Sequence, residues 1–251
     1  MTGEEEKETT IILVRHGVTE WNRLARYQGR LDIPLNEEGR KQSFVLAQTL
    51  KDIPIAAIFT SPLRRAYECA GIIATVKGAG LQIRPGLTEI CHGVWEGLTL
   101  SEVESKYADL VQKWRLNPYD TPMPQGESIR EVEIRAWETF EEIASGWPGK
   151  ISLIITHDVP LRTILRKILN LESKYFWRLR LDNVGINVVS RVGFQPASRV
   201  GFQPASRVGF QPASRVGFQP ARSKEDSWQI VLLNDTCHLG GWLSSRAQLA
   251  L

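Results

Sequence analysis

The sequence predicts an α/β fold: a three-layer sandwich with a mostly parallel central sheet and helices on both faces. Three observations predict it. Short β-branched apolar runs alternate along the chain with amphipathic helical stretches. The clearest runs, 10–14 (TIILV), 56–60 (AAIFT) and 151–156 (ISLIIT), are apolar almost throughout, as strands covered on both faces are. About 210 of the 251 residues remain once a polar N-terminal stretch and a tandem repeat are set aside, which suits one domain.

Each element has its own signal. The run 10–14 is a buried strand that stops abruptly at Arg15-His16-Gly17. Residues 37–51 carry Phe44, Ala47 and Leu50 at helical spacing. The strand 56–60 leads into a helix over 62–76, with Ser61 as its N-cap and Pro62 at its first position. Residues 83–89 form a weaker extended segment, 100–116 a helix, and 118–126 a proline-rich loop. Ser128 and Glu131 have capping-box spacing and open a helix that carries Ile129, Val132, Ala136, Phe140 and Ile143. The strand 151–156 ends in His157-Asp158 and runs into a helix over about 160–170. Two more strands follow, at 184–189 and 228–233.

Residues 190–221 are four identical copies of SRVGFQPA. The domain is therefore expected to occupy 10–189 and 222–251, with 1–9 as a flexible acidic tail and the repeat as an insertion between two strands. A long surface insertion is thermodynamically mild, because closure entropy grows only logarithmically with length. The expected reading is a protrusion with no catalytic role.

Composition excludes several classes. A hydrophobic content of 42% and a charged content of 24% are ordinary for a globular protein. No apolar run approaches the length of a membrane span, so no membrane partner is expected. The N-terminus lacks the basic and apolar regions of a secretory signal. The net charge of +3 is an insertion effect: the repeat brings four arginines and no acid, leaving −1 for the rest. No nucleic-acid partner follows from that balance. Three cysteines, an odd and small number, read as reduced thiols of a cytoplasmic protein.

In parallel α/β sheets, ligands sit at the carboxyl ends of the strands. Three strands here end in related groups: Arg15-His16, then Thr60-Ser61 followed by Arg64, then Thr156-His157. A histidine just past a buried strand is held rigidly. A neutral imidazole is a nucleophile through one ring nitrogen if the other donates to a backbone carbonyl. Arg15 offers a planar fork matched to phosphate oxygens. Arg64, in a first helical turn, adds charge where backbone N–H groups already favour an anion. No HExxH, cysteine pair or carboxylate cluster has metal spacing, so no metal and no cofactor is expected.

The blocks carrying these groups have a family resemblance. Leu13-Val-Arg-His-Gly-Val-Thr-Glu-Trp-Asn22 resembles the signature of the histidine phosphatase superfamily, in the branch containing cofactor-dependent phosphoglycerate mutases and many small phosphatases. The blocks 29–39, 59–66, 87–89, 93–97, 126–128 and 156–162 resemble the others, in the family's order. The resemblance implies a phosphoglycerate mutase-like fold. It implies His16 as a nucleophile that becomes phosphohistidine, with Arg15, Arg64 and His157 on the phosphoryl oxygens. It implies Glu89 as proton donor to the leaving group, and Asn22 with the Thr19 and Gly29 region on the substrate side. Asp158, directly after His157, is the competing carboxylate: it is the donor in the other, acid-phosphatase branch, and here counts as a substrate-side residue or a helix cap.

The same resemblance separates hydrolysis from mutase chemistry. The mutases carry Glu-Arg-His-Tyr-Gly where this chain has Glu89-Ile-Cys-His-Gly93, and only 28 residues separate Gly97 from Gly126, too few for their long basic insertion. The block Gly93-Val-Trp-Glu-Gly97 is common in the phosphatases. The expected function is a metal-independent phosphomonoesterase acting on a small phosphorylated metabolite. Phosphoglycerate mutase is the alternative, and an inactive interaction protein a more remote one, since such relatives lose the nucleophile or an arginine. A homodimer is among the assemblies left open. His92 and His238 are expected to be structural, and the eight tryptophans core or pocket wall.

Overall fold

The computed structural model describes residues 8–191 and 228–239. The strands are β1 (Thr9–Arg15), β2 (Ile55–Thr60), β3 (Leu81–Ile83), β4 (Ile151–Thr156), β5 (Ile186–Arg191) and β6 (Trp228–Asp235). The main helices are α1 (Glu20–Arg23), α2 (Glu37–Thr49), α3 (Arg64–Lys77), α4 (Leu100–Lys106), α5 (Ala108–Leu116), α6 (Ile129–Gly146) and α7 (Asp158–Ile168). The sheet order is β3-β2-β4-β1-β5-β6. The first four strands run parallel, and β5 and β6 complete the sheet antiparallel to their inner neighbours.

The three layers follow from the two-residue period of the strands. On β1, Ile12 and Val14 face a core shared with Leu46 and Ala47 of α2 and Ala66, Cys69, Ala70 and Ile73 of α3. Ile11 and Leu13 face the opposite core, with Phe140 and Ile143 of α6 and Leu161, Ile164 and Leu165 of α7. A third cluster, around Tyr27, Trp95, Trp114 and Phe176, packs beneath α4 and α5 and supports the loops above the sheet. The Ser128 capping box opens α6 as expected, with Ser128 Oγ accepting from Glu131 N.

Several boundaries differ from expectation. Residues 100–116 form two helices, broken at Tyr107. Residues 83–89 are a strand end followed by a 3₁₀ turn, Pro85–Leu87. Thr9, assigned to the tail, is the first residue of β1, and its Oγ1 accepts from Gly149 N. Ser190 and Arg191, the first two residues of the repeat, belong to β5. The rest of the repeat lies outside the described residues. Helix α3 begins at Arg64 with Leu63 as N-cap, not at Pro62 behind Ser61.

Candidate active site

The carboxyl ends of β2, β4 and β1 lie side by side, because the three are adjacent and parallel. Arg15 is in register with Thr156, and His16 N donates to Thr156 O at 2.9 Å. The ends of these strands line up beneath a small polar cleft of about 330 Å³, its open mouth included. Arg15, His16, Asn22, Arg26, Tyr27, Gln28, Gly29, Arg65, Glu89 and His92 line it.

His16 is buried, and its Nδ1 lies 2.7 Å from Gly17 O. A carbonyl only accepts, so the ring proton sits on Nδ1 and Nε2 keeps its lone pair. Burial, then the charges of Arg65 and Arg15, hold His16 well below the usual histidine range, so the imidazole is neutral at physiological pH. The backbone around it is clamped. Val184 N donates to Arg15 O at 2.9 Å, and Asn183 Nδ2 donates to His16 O at 2.7 Å. Val184 adopts a φ of +52°, a costly conformation for a β-branched residue, held here by those neighbours. Gly17 is required by space: a Cβ there would lie 2.5 Å from Gly39 O.

Arg15 is buried behind His16. Its Nη1 donates to Leu181 O at 2.9 Å and to Asp158 Oδ1 at 3.2 Å. Asp158 also receives Arg162 Nε and Nη2, and none of its surface is exposed. Asp158 therefore does not line the cleft, and it is not the helix cap either. It is the first residue of α7, and its carboxylate is occupied by two buried arginines. Thr19 is also displaced from its expected role. Its Oγ1 accepts from Asn22 N as the N-cap of α1 and lies 3.0 Å from Gln28 Oε1, orienting two cleft residues from behind.

Glu89 does line the cleft. Its Oε1 accepts from Ile90 N and Val159 N, and its Oε2 from Asp158 N, so this carboxylate caps the N-terminus of α7. Those donors favour the charged form. Burial and the nearby Asp158 charge outweigh them, and Glu89 titrates above the usual carboxylate range.

The second arginine is Arg65. Its side chain is buried, with Nη2 donating to Gly29 O at 2.7 Å and Nη1 to Leu31 O at 2.9 Å. Burial lowers it to about 10, so it stays charged at neutral pH. Arg64 lies outside the cleft. Its side chain is 57% exposed and paired with Glu68, and its backbone N–H donates to Asp32 Oδ1. The helix N-terminus expected to greet an anion already holds a carboxylate. The sequence did contain the signal: Arg64 is four residues from polar Glu68, and Arg65 is four from Cys69, on the face that Ala66, Ala70 and Ile73 bury.

Gly29 holds φ +51°, and a Cβ there would lie 2.0 Å from Glu96 Oε1, which accepts from Arg30 N and His92 N. Glu96 so fastens the 28–31 loop to the opposite wall. His92, expected to be structural, stands in that wall against the Tyr27 ring. Burial, first of all, pushes it down to about 3. Gln28, Arg26 and Tyr27 are wall residues that the sequence reading did not single out. His157 is fully buried beside His16, with ring centroids 5.1 Å apart.

A profile of the histidine phosphatase superfamily, branch 1, matches residues 11–200. The chain belongs to that superfamily. This histidine phosphatase is 35% identical to phosphoserine phosphatase 1 of Hydrogenobacter thermophilus over 179 residues, covering 71% of this chain and 85% of that protein. It is 36% identical to a probable phosphoglycerate mutase GpmB of Photorhabdus laumondii over 183 residues, covering 71% and 83%. Among solved structures, YhfR of Bacillus stearothermophilus superposes with a TM-score of 0.70 at 30% identity, covering 73% of this chain and 92% of that one. The chain is thus an enzyme of the phosphatase class, acting on small phosphorylated metabolites, with the phosphoglycerate mutase-like fold its sequence implied. Among the described residues, no helix is long and apolar enough to cross a membrane, and no group of three or more His, Cys, Asp or Glu side chains is arranged to hold a metal ion.

Proposed function

We propose that this enzyme hydrolyses phosphate monoesters of compact metabolites through a phosphohistidine on His16, without a metal. One observation carries the reading: Nδ1 of His16 is engaged by Gly17 O, so Nε2 keeps a lone pair in a cleft that also holds Arg15, Arg65 and Glu89. Nε2 attacks phosphorus, and the P–O bond to the leaving group breaks. Glu89, protonated beside the bound phosphate dianion, gives its proton to the departing oxygen. The resulting carboxylate then takes a proton from water, which attacks phosphorus and frees His16. The arginine charges stabilise the transferring group, which is most of what phosphoryl transfer needs.

The small, polar cleft and the relative named as a phosphoserine phosphatase support a substrate bearing a second polar or charged group near its phosphate. Hydrolysis is proposed over mutase chemistry on the sequence of the 89–97 block and the short 98–125 segment. The described cysteines are all free, in keeping with a reducing, cytoplasmic setting. A turnover screen of phosphate monoesters that includes O-phosphoserine tests the reading, with a mutase assay with and without 2,3-bisphosphoglycerate beside it. Wild-type protein should release phosphate, acquire a phosphoryl mass shift on His16, and lose both in His16→Ala. A shift on aspartate, serine or cysteine would overturn the mechanism.

A further inference from the structure

The buried ring of His157 has one nitrogen engaged and one without a partner. Nε2 lies 2.8 Å from Ser61 Oγ, while Nδ1 has no hydrogen-bond partner among the described residues. Ser61 is itself fully buried, and its Oγ already accepts from Leu63 N at 3.2 Å. A hydroxyl has one proton to give, and among the described residues His157 Nε2 is the acceptor within reach.

Two arrangements are open to the pair. If His157 donated from Nε2 to Ser61 Oγ, the serine proton would be buried without an acceptor and Nδ1 would be a bare lone pair. Two buried polar groups would go unpaired. If Ser61 donates to Nε2 instead, only the Nδ1–H is left without a partner. Buried polar groups are rarely left unpaired, and the second arrangement leaves fewer of them. The group it does leave is a hydrogen-bond donor on a ring whose centroid lies 5.1 Å from that of His16, itself a cleft residue. Among the described residues that spot holds no acceptor, and a phosphoryl oxygen is one.

We propose that Ser61 is a positioning residue that sets the tautomer of His157, making Nδ1–H a donor to the phosphoryl group. The inference rests on the proposed phosphoryl-transfer reading for what the donor meets, though not for where the proton sits. Burial, then the Arg65 charge, keeps His157 neutral, so the choice between its two tautomers is a real one. The Ser61 position also explains why this serine is not the cap of α3: its side chain is spent on the histidine of the neighbouring strand and on its own turn.

The experiment is ¹⁵N NMR of histidine-labelled full-length protein at neutral pH, with the His157 signals assigned by their loss in His157→Gln. Wild-type protein should show the proton on Nδ1 and a lone pair on Nε2. Ser61→Ala should move the population toward Nε2–H and lower kcat by about ten- to a hundredfold, with KM changed less than about threefold, as loss of one donor to a charged transition state implies. Ser61→Thr, which keeps the hydroxyl, should restore the Nδ1–H signal. A wild-type spectrum with the proton on Nε2 overturns the inference even if Ser61→Ala does not fold. So does a Ser61→Ala protein with unchanged tautomer and unchanged kcat. If instead His16→Ala retained turnover, the phosphohistidine reading would fail whatever the spectrum showed.

Discussion

Arg64 and Arg65 are neighbours in the chain and face opposite surroundings. Arg64 reaches outward to Glu68, and Arg65 is buried under the 28–31 loop with both terminal nitrogens on backbone carbonyls. Successive helical residues point about 100° apart, so only one of an adjacent pair at a helix start can meet the cleft. Arg65→Ala should therefore weaken vanadate inhibition about ten- to a hundredfold, with a parallel loss of rate. Arg64→Ala should leave both within about threefold, as expected for an exposed pair. Equal losses in the two variants would return Arg64 to the site.

That pair also marks where sequence reading reached its limit. The strands were legible because β1 and β4 are covered on both faces and their residues are apolar almost without interruption. Their order in space then brought Arg15, His16 and His157 together. The start of α3 was less legible, since Ser61-Pro62 has the form of a helix start while the tertiary contacts use Ser61 elsewhere. Asp158 was read as a substrate-side carboxylate, whereas it lies behind the cleft, already claimed by Arg15 and Arg162. Arg162 lies four residues on, and Arg15 is 143 residues away in sequence. Gln28 and His92 carry no signal of their own, and only the folding of two loops against each other makes them walls.

With Glu89 as the proposed acid and Asp158 paired to Arg15 and Arg162, a leaving-group effect is expected. Glu89→Gln should slow hydrolysis of an alkyl phosphate by about 10²–10⁴. It should matter far less for p-nitrophenyl phosphate, whose leaving group hardly needs a proton. Asp158→Asn removes the charge that holds Arg15, so it should slow both substrates to a similar degree and weaken phosphate binding. If Asp158→Asn showed the leaving-group dependence and Glu89→Gln did not, the acid would be Asp158.

The buried histidines make stability depend on pH in a definite direction. The unfolded chain protonates His92 near pH 6.5, and the folded one only near pH 3. Between those values the unfolded state binds one proton more, so acidification favours unfolding by about 1.4 kcal/mol per pH unit. His16 and His157 shift the same way. Glu89 acts oppositely, because its folded form takes up a proton at higher pH than the unfolded form. Urea denaturation at pH 6 and pH 5 should show a marked loss of stability in wild-type protein. His92→Gln should lose less over that interval, by about 1 kcal/mol. An identical slope in the variant would mean that His92 is protonated in the folded state.

The insertion leaves the sheet at the end remote from the chemistry. β5 is antiparallel to β1, so Arg191 pairs with Thr9, while Ile186 pairs with Val14 next to Arg15. Six strand residues at roughly 3.3 Å each put about 20 Å between that exit and His16. The exit is itself anchored: Arg191 pairs with Trp228 in the β5–β6 ladder, stacks on its ring, and bonds Glu141, which also accepts from Trp228 Nε1. Because the copies are identical, deleting 192–215 leaves one complete SRVGFQPA unit and keeps Ser190 and Arg191 in β5. Turnover in that variant should stay within about twofold of wild type, and the melting temperature should hold or rise, since shortening a loop lowers its closure entropy. Deleting 190–221 removes the strand end as well and should cost stability without changing KM. A tenfold loss of turnover in the shorter deletion would show that the repeat reaches the cleft after all.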